Sequence, residues 1–151
     1  MIFVECRPDR LLVRVLGVPK EAIRHVGNKP EVCKMIERYP ASKGVVDEDP
    51  DSYQPPYLHK LRFVEEFSGL RRLRDERTSS ELVLLCPRME EWVIEAAKEV
   101  GIHLRAFGLP DEPKLLHAVI NTHLKNFETL LLQLKRSERM RKLHKFLCES
   151  E

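Results

Sequence analysis

Ile2-Phe3-Val4-Glu5-Cys6-Arg7-Pro8-Asp9 is an apolar run that turns acidic at its end and then meets a proline. About forty residues on, Val45-Val46-Asp47-Glu48-Asp49-Pro50 repeats the arrangement. Each reads as a buried strand whose last residue is a carboxylate. In open α/β sheets, ligands bind in the crevice beyond the carboxyl ends of the strands, so two acid-tipped strands point to a single site. Four carboxylates in one crevice suit a divalent cation.

The residues between these runs fill in a β-α-β-α-β pattern. Residues 2 to 6 read as a strand, and Pro8 suits the first turn of a helix through about Leu16 that Gly17 stops. A short strand from Ala22 to Val26 follows. Asn28, with Glu31 three residues on, has the spacing of a capping box for a helix to about Tyr39. The third strand spans Lys43 to Asp47. Such alternation predicts a largely parallel sheet with right-handed crossovers.

Downstream, Pro50 to Pro56 reads as a surface loop. Tyr57 to Phe67 has helical spacing. Leu70 to Asp75 and Glu81 to Cys86 read as two strands around a polar turn, an antiparallel pair that would make the sheet mixed. Pro87 opens a helix to about Val100 with Met89, Trp92, Val93 and Ala96 on its apolar face. Lys114 to Ile120 predicts a short helix. Leu124, Phe127, Leu131 and Leu134 give a stripe on another running to about Leu147. The expected architecture is an α/β core over residues 1–100 and a helical extension over 101–151 packed on the same domain.

With 151 residues, 33% of them charged, and a net charge of +2, the chain suits one compact domain and not a strongly basic nucleic-acid coat protein. Abundant Arg, Lys and Glu with many prolines would suit the ion-paired surface of a thermophile. Cys6, Cys33, Cys86 and Cys148 are far apart and lack zinc-ligand spacing, which favours reduced packing thiols and a cytoplasmic setting. No signal peptide or membrane span is visible.

Glu5 ends a strand, Asp9 falls in the first turn of the next helix, and Asp47 and Asp49 flank Glu48 on a segment expected to be extended, where alternate side chains share a face. Two carboxylates about 5 Å apart repel by about 3 kcal/mol at an effective dielectric near 20. Mg²⁺ or Mn²⁺ is the natural counterion, since such hard ions take oxygen ligands and use one or two carboxylates plus waters and phosphate.

These residues resemble the Toprim domain of topoisomerases, primases and the overcoming-lysogenization-defect nucleases. In that family one strand ends in Glu-Gly-x-x-Asp and a later one in Asp-x-Asp. Glu5-Cys6-Arg7-Pro8-Asp9 matches the first with Cys6 in place of glycine. Asp47-Glu48-Asp49 matches the second, with Pro50 where a glycine often follows. The resemblance covers roughly residues 1 to 90. It implies a Toprim-like fold and a Mg²⁺-dependent nuclease or related phosphoryl-transfer enzyme, with Glu5 in acid/base chemistry or metal binding and Asp47, Asp49 and Asp9 on the metal. Pro87-Arg88-Met89-Glu90-Glu91-Trp92 is similar to the Glu-x-Glu-x-Trp-type helix start of compact standalone Toprim-like proteins, which implies Glu90 as a further acid.

Lys29, His25 and Arg88 are the candidate substrate-binding residues. Lys29 could equally be a solvated cap residue, and Asp9 could serve only its helix dipole. The basic stretch from Lys135 to Lys145 reads either as a nucleic-acid track or as a solvated face. Nucleic acid is the expected partner. The rival reading is a non-catalytic interaction module working with a separately encoded ATPase in a defence or mobile-element system.

Overall fold

A computed structural model describes residues 1–148 of the chain. The last three residues of the expected extension lie outside the described residues. The protein is α/β, with six strands, β1 (Ile2–Val4), β2 (Ile23–His25), β3 (Lys43–Asp47), β4 (Arg62–Phe67), β5 (Leu70–Arg74) and β6 (Glu81–Leu85), in one mixed sheet of order β2-β1-β3-β6-β5-β4. The first four in that order run parallel, and β5 and β4 are antiparallel to their neighbours. Among the described residues, six α-helices surround the sheet: α1 (Arg7–Val15), α2 (Lys29–Arg38), α3 (Met89–Glu99), α4 (Pro113–Val119), α5 (Leu124–Leu134) and α6 (Glu138–Cys148).

Alternation along the strands explains the two layers. Ile2, Val4, Val45, Val83 and Leu85 face one core with Leu12 and Val13 of α1, Trp92 and Val93 of α3, and Phe127, Leu131 and Leu143 of the later helices. Phe3, Val46, Leu82 and Leu84 face the other with Val32, Cys33 and Ile36 of α2 and Tyr57. Thus α1 and α2 cover opposite faces. From β1 the chain steps to β2 on one side, and from β2 it crosses to β3 on the other. The gap between the carboxyl ends of β1 and β3 is therefore the topological switch point of the sheet.

Local signals behave as their chemistry requires. Asn28 caps α2 by accepting from the Glu31 N–H at 2.9 Å, and Gly17 ends α1 with φ +101°. Two expectations are corrected. Residues 57 to 67 are not a helix: Pro56–Lys60 forms a 3-10 turn and Arg62–Phe67 is β4, joined to β5 by a two-residue turn in which Ser68 and Gly69 both have positive φ. Nor does one helix run from 124 to 147. It breaks after Leu134, where the Ser137 hydroxyl accepts from the Met140 N–H at 3.1 Å and starts α6 as an N-cap. No described helix is long and apolar enough to cross a membrane.

Candidate metal centre at the sheet switch point

Glu5 follows the last residue of β1 and Asp47 is the last residue of β3, so the two stand on either side of the switch point. They are tied together: Glu5 Oε2 accepts from the Asp47 N–H at 2.8 Å. Asp47 Oδ1 in turn accepts from the Met89 N–H at 3.0 Å, which fixes the start of α3 against β3 and brings Glu90, in its first turn, into the same crevice. Asp9 completes the group from the first turn of α1. It is 2% exposed, its Oδ2 accepts from the Cys6 thiol at 3.2 Å, and its Oδ1 is buried with no hydrogen-bond partner.

The electrostatics follow from this crowding. Burial first, and then the charges of Asp9, Glu5 and Glu90, push the Asp47 carboxyl up to about 9. Burial and the neighbouring Glu5 push Asp9 up to about 7. Glu5 is raised mainly by burial, and this is opposed by the Asp47 N–H and the Lys29 ammonium. The Cys6 thiol is raised as well, by burial and by Asp9. An environment that resists ionisation of several acids at once favours a cation.

Asp49 departs from the extended geometry expected of it. Asp49 has φ +42°, so the chain turns out of the strand there. Its carboxylate pairs with Arg88 at 3.2 Å, and Glu48 pairs with Arg71 at 3.6 Å. Asp49 therefore stands at the rim, although its charge still acts on Glu5. Arg88 also holds Glu91 at 3.3 Å and Asp51 at 3.6 Å. Lys29 is 6% exposed and is no solvated cap residue. Its Nζ donates to the Glu48 carbonyl at 2.7 Å and to Gln54 Oε1 at 2.9 Å, and so pins the 50–55 loop beside the acids. His25 is exposed at the end of β2, and no described contact ties it to the carboxylates.

Two clefts open at this edge and share Asp47 and Asp49. One, of about 560 Å³, is walled by Arg88, Glu90, Glu112 and His117. The other, of about 380 Å³, is walled by Glu5, Asn28, Lys29 and Tyr53. His117, whose Nδ1 lies 3.5 Å from Glu90 Oε2, has no counterpart in the sequence reading. It comes from α4, and no local spacing relates it to the acidic strand ends.

Among the described residues, no three His, Cys, Asp or Glu side chains form a ready-made metal cage. The donor set fits Mg²⁺ or Mn²⁺ in the more open manner such ions use, with one or two carboxylates and the remaining positions left to water or substrate. Asp9 Oδ1, buried and unbonded, is the observation that carries the fit. Three of the six cations in the basic stretch from Lys135 to Lys145 are engaged within the fold, while Lys135, Arg141 and Lys145 are exposed. Arg136 donates to the Val100 carbonyl, Arg139 pairs with Glu99, and Lys142 pairs with Glu65 and lies over the Phe67 and Phe146 rings.

Comparison with known proteins finds no match: no family model fits the chain, and neither curated proteins nor solved structures show significant similarity to it.

Proposed function

We propose that this chain is a Toprim-like, Mg²⁺- or Mn²⁺-dependent nuclease or related phosphoryl-transfer enzyme acting on nucleic acid. The observation that carries the reading is the gathering of Glu5, Asp9, Asp47 and Glu90 at the switch point around an unbonded, buried carboxylate oxygen. Asp9 and Asp47 would hold the ion, with Glu5 and Glu90 beside them, and Asp49 would approach from the rim. When bound, the ion would polarise a phosphate and stabilise the oxyanion that leaves.

The chain's own residues supply the rest. Glu5 is held by the Asp47 N–H through Oε2, so its other oxygen is the one to take a proton from an attacking water. Arg88 and Lys29 stand on the two cleft walls, where their charges would draw a phosphate toward the acids. Repulsion between an anionic substrate and the carboxylates makes binding at this edge depend on the cation.

Calorimetric titration of wild type and Asp47→Asn with Mn²⁺ and Mg²⁺ tests the reading. Asparagine keeps an oxygen for the Met89 N–H. We expect saturable binding that is lost in the variant and is accompanied by proton release, so that the measured enthalpy changes with the ionisation enthalpy of the buffer. Cleavage of an oligonucleotide should require the metal and vanish in the same variant. Absence of saturable heat at millimolar metal, with and without oligonucleotide, would remove the basis of the enzyme reading.

A second reading, the non-catalytic module partnered by an ATPase, is favoured by the use of Glu5 and Asp47 as acceptors for backbone N–H groups, which is a structural task. It predicts metal uptake or partner binding without cleavage of any nucleic acid.

A further inference from the structure

Many of the cations among the described residues are matched by acids: Arg62 by Glu76, Arg77 and Lys60 by Glu37, Lys98 by Glu95, Arg105 by Asp111, Arg139 by Glu99. Of those left without an acid partner, five gather in one place. Where α1 packs on α5, a groove of about 400 Å³ is lined by Arg7, Arg10 and Arg14, with Lys20 and Lys125 opposite a single acid, Glu128. Among the described residues, no side-chain hydrogen bond or ion pair engages any of these five cations, and Arg10 Nε is buried with no partner at all.

We propose that this groove holds the phosphate backbone of a nucleic-acid strand. The proposal deepens the nucleic-acid reading above and rests on it. Arg7, Arg10 and Arg14 recur at three- and four-residue intervals and so occupy one face of α1. At 1.5 Å per residue they span about 10 Å, the length of about three phosphates along one strand of a duplex. Guanidinium groups suit phosphate oxygens because their planar fork donates two hydrogen bonds at once. An unpaired row of them stays in place only where solvent or an anion meets it. The groove begins on the helix that delivers Asp9, since Arg7 lies two residues before that acid. A strand seated there would run along α1 toward the carboxylates.

The test is fluorescence anisotropy with a labelled single-stranded oligonucleotide and its duplex, in chelator, so that neither metal nor cleavage enters. Arg7→Ala/Arg14→Ala is compared with Lys34→Ala/Lys98→Ala, which removes the same charge from exposed, paired positions. Each lost contact to a single strand should lower the slope of log affinity against log salt by about 0.7, which at 0.1 M salt makes the first pair about 25-fold weaker. The control pair should change affinity by less than about twofold. Asp47→Asn should bind the oligonucleotide at least as well as wild type, which separates this proposal from the metal reading. Equal losses in both double variants, or absence of oligonucleotide binding by wild type, would overturn the proposal. Inorganic pyrophosphate or a free nucleotide binding as tightly as the oligonucleotide would overturn it too, in favour of a small-anion site.

Discussion

Asp47 is held where its charged form is disfavoured, and this has a consequence for stability. An aspartate ionises near 3.9 in an unfolded chain, whereas burial and the neighbouring acids hold Asp47 up to about 9 and Asp9 up to about 7. The folded state therefore binds protons that the unfolded state has released. This contribution is complete below the unfolded value and is lost as pH rises through the folded values. In chelator, the melting temperature should fall between pH 5 and pH 9. Asp47→Asn should flatten the fall and melt higher than wild type at pH 9, at about 2–4 °C per kcal/mol recovered. Identical pH slopes in the two proteins would contradict this account. Glu5 and Asp47 were legible in the sequence because each ends an apolar run. His117 and the pairing of Asp49 with Arg88 were not, because no short spacing encodes a contact made across the fold.

The hairpin from β4 to β5 turns on Gly69, whose φ is +78° and whose missing Cβ would lie 2.6 Å from Arg139 Nη1 and 3.0 Å from Trp92 Cδ1. Gly69→Ala should cost about 1–3 kcal/mol by denaturant midpoint, more than Gly17→Ala, which has positive φ in open space. A smaller effect at Gly69 would show that the turn relaxes freely. Residues 57 to 67 mimic a helix because Tyr57, Leu58, Leu61 and Val64 recur at three- and four-residue steps. The Ser68-Gly69 turn and pairing with β5 decide otherwise, and β4, as an edge strand, buries too little for its alternation to show. Similarly, buried Leu134, Ser137, Met140 and Leu143 keep an even spacing across the α5–α6 break, which hides it from a pattern reading. Ser137→Ala removes the cap and should lower stability by about 1 kcal/mol in chemical denaturation.

Sheet and carboxyl-terminal helices share one core, in which Phe127, Leu131 and Phe146 lie with Val4, Val45 and Leu85. Lys43 Nζ donates to the Phe146 carbonyl at 2.6 Å, tying α6 to the start of β3. The first hundred residues lack a closed surface without these helices. Phe127→Ala should cost about 3–5 kcal/mol and leave a single unfolding transition, with the signal of buried Trp92 and the far-ultraviolet signal coinciding. Two separated transitions would show that the helices fold as a unit of their own.

Apart from β4 and the break between α5 and α6, the order of elements, the parallel β1, β2 and β3, the antiparallel β5 and β6, and the acids at two strand ends all follow from local facts. Apolar runs, caps, and the positions of Gly and Pro act over a few residues, and the chain displays them in order. The gathering of Glu90 and Asp9 with Glu5 and Asp47, the loss of ionisation that results, the engagement of Lys29, Arg139 and Lys142 within the fold, and the unpaired groove beside α1 belong to the packed molecule. They depend on distances between segments far apart in the chain and on the exclusion of water, and neither exists until the two cores have closed around the sheet.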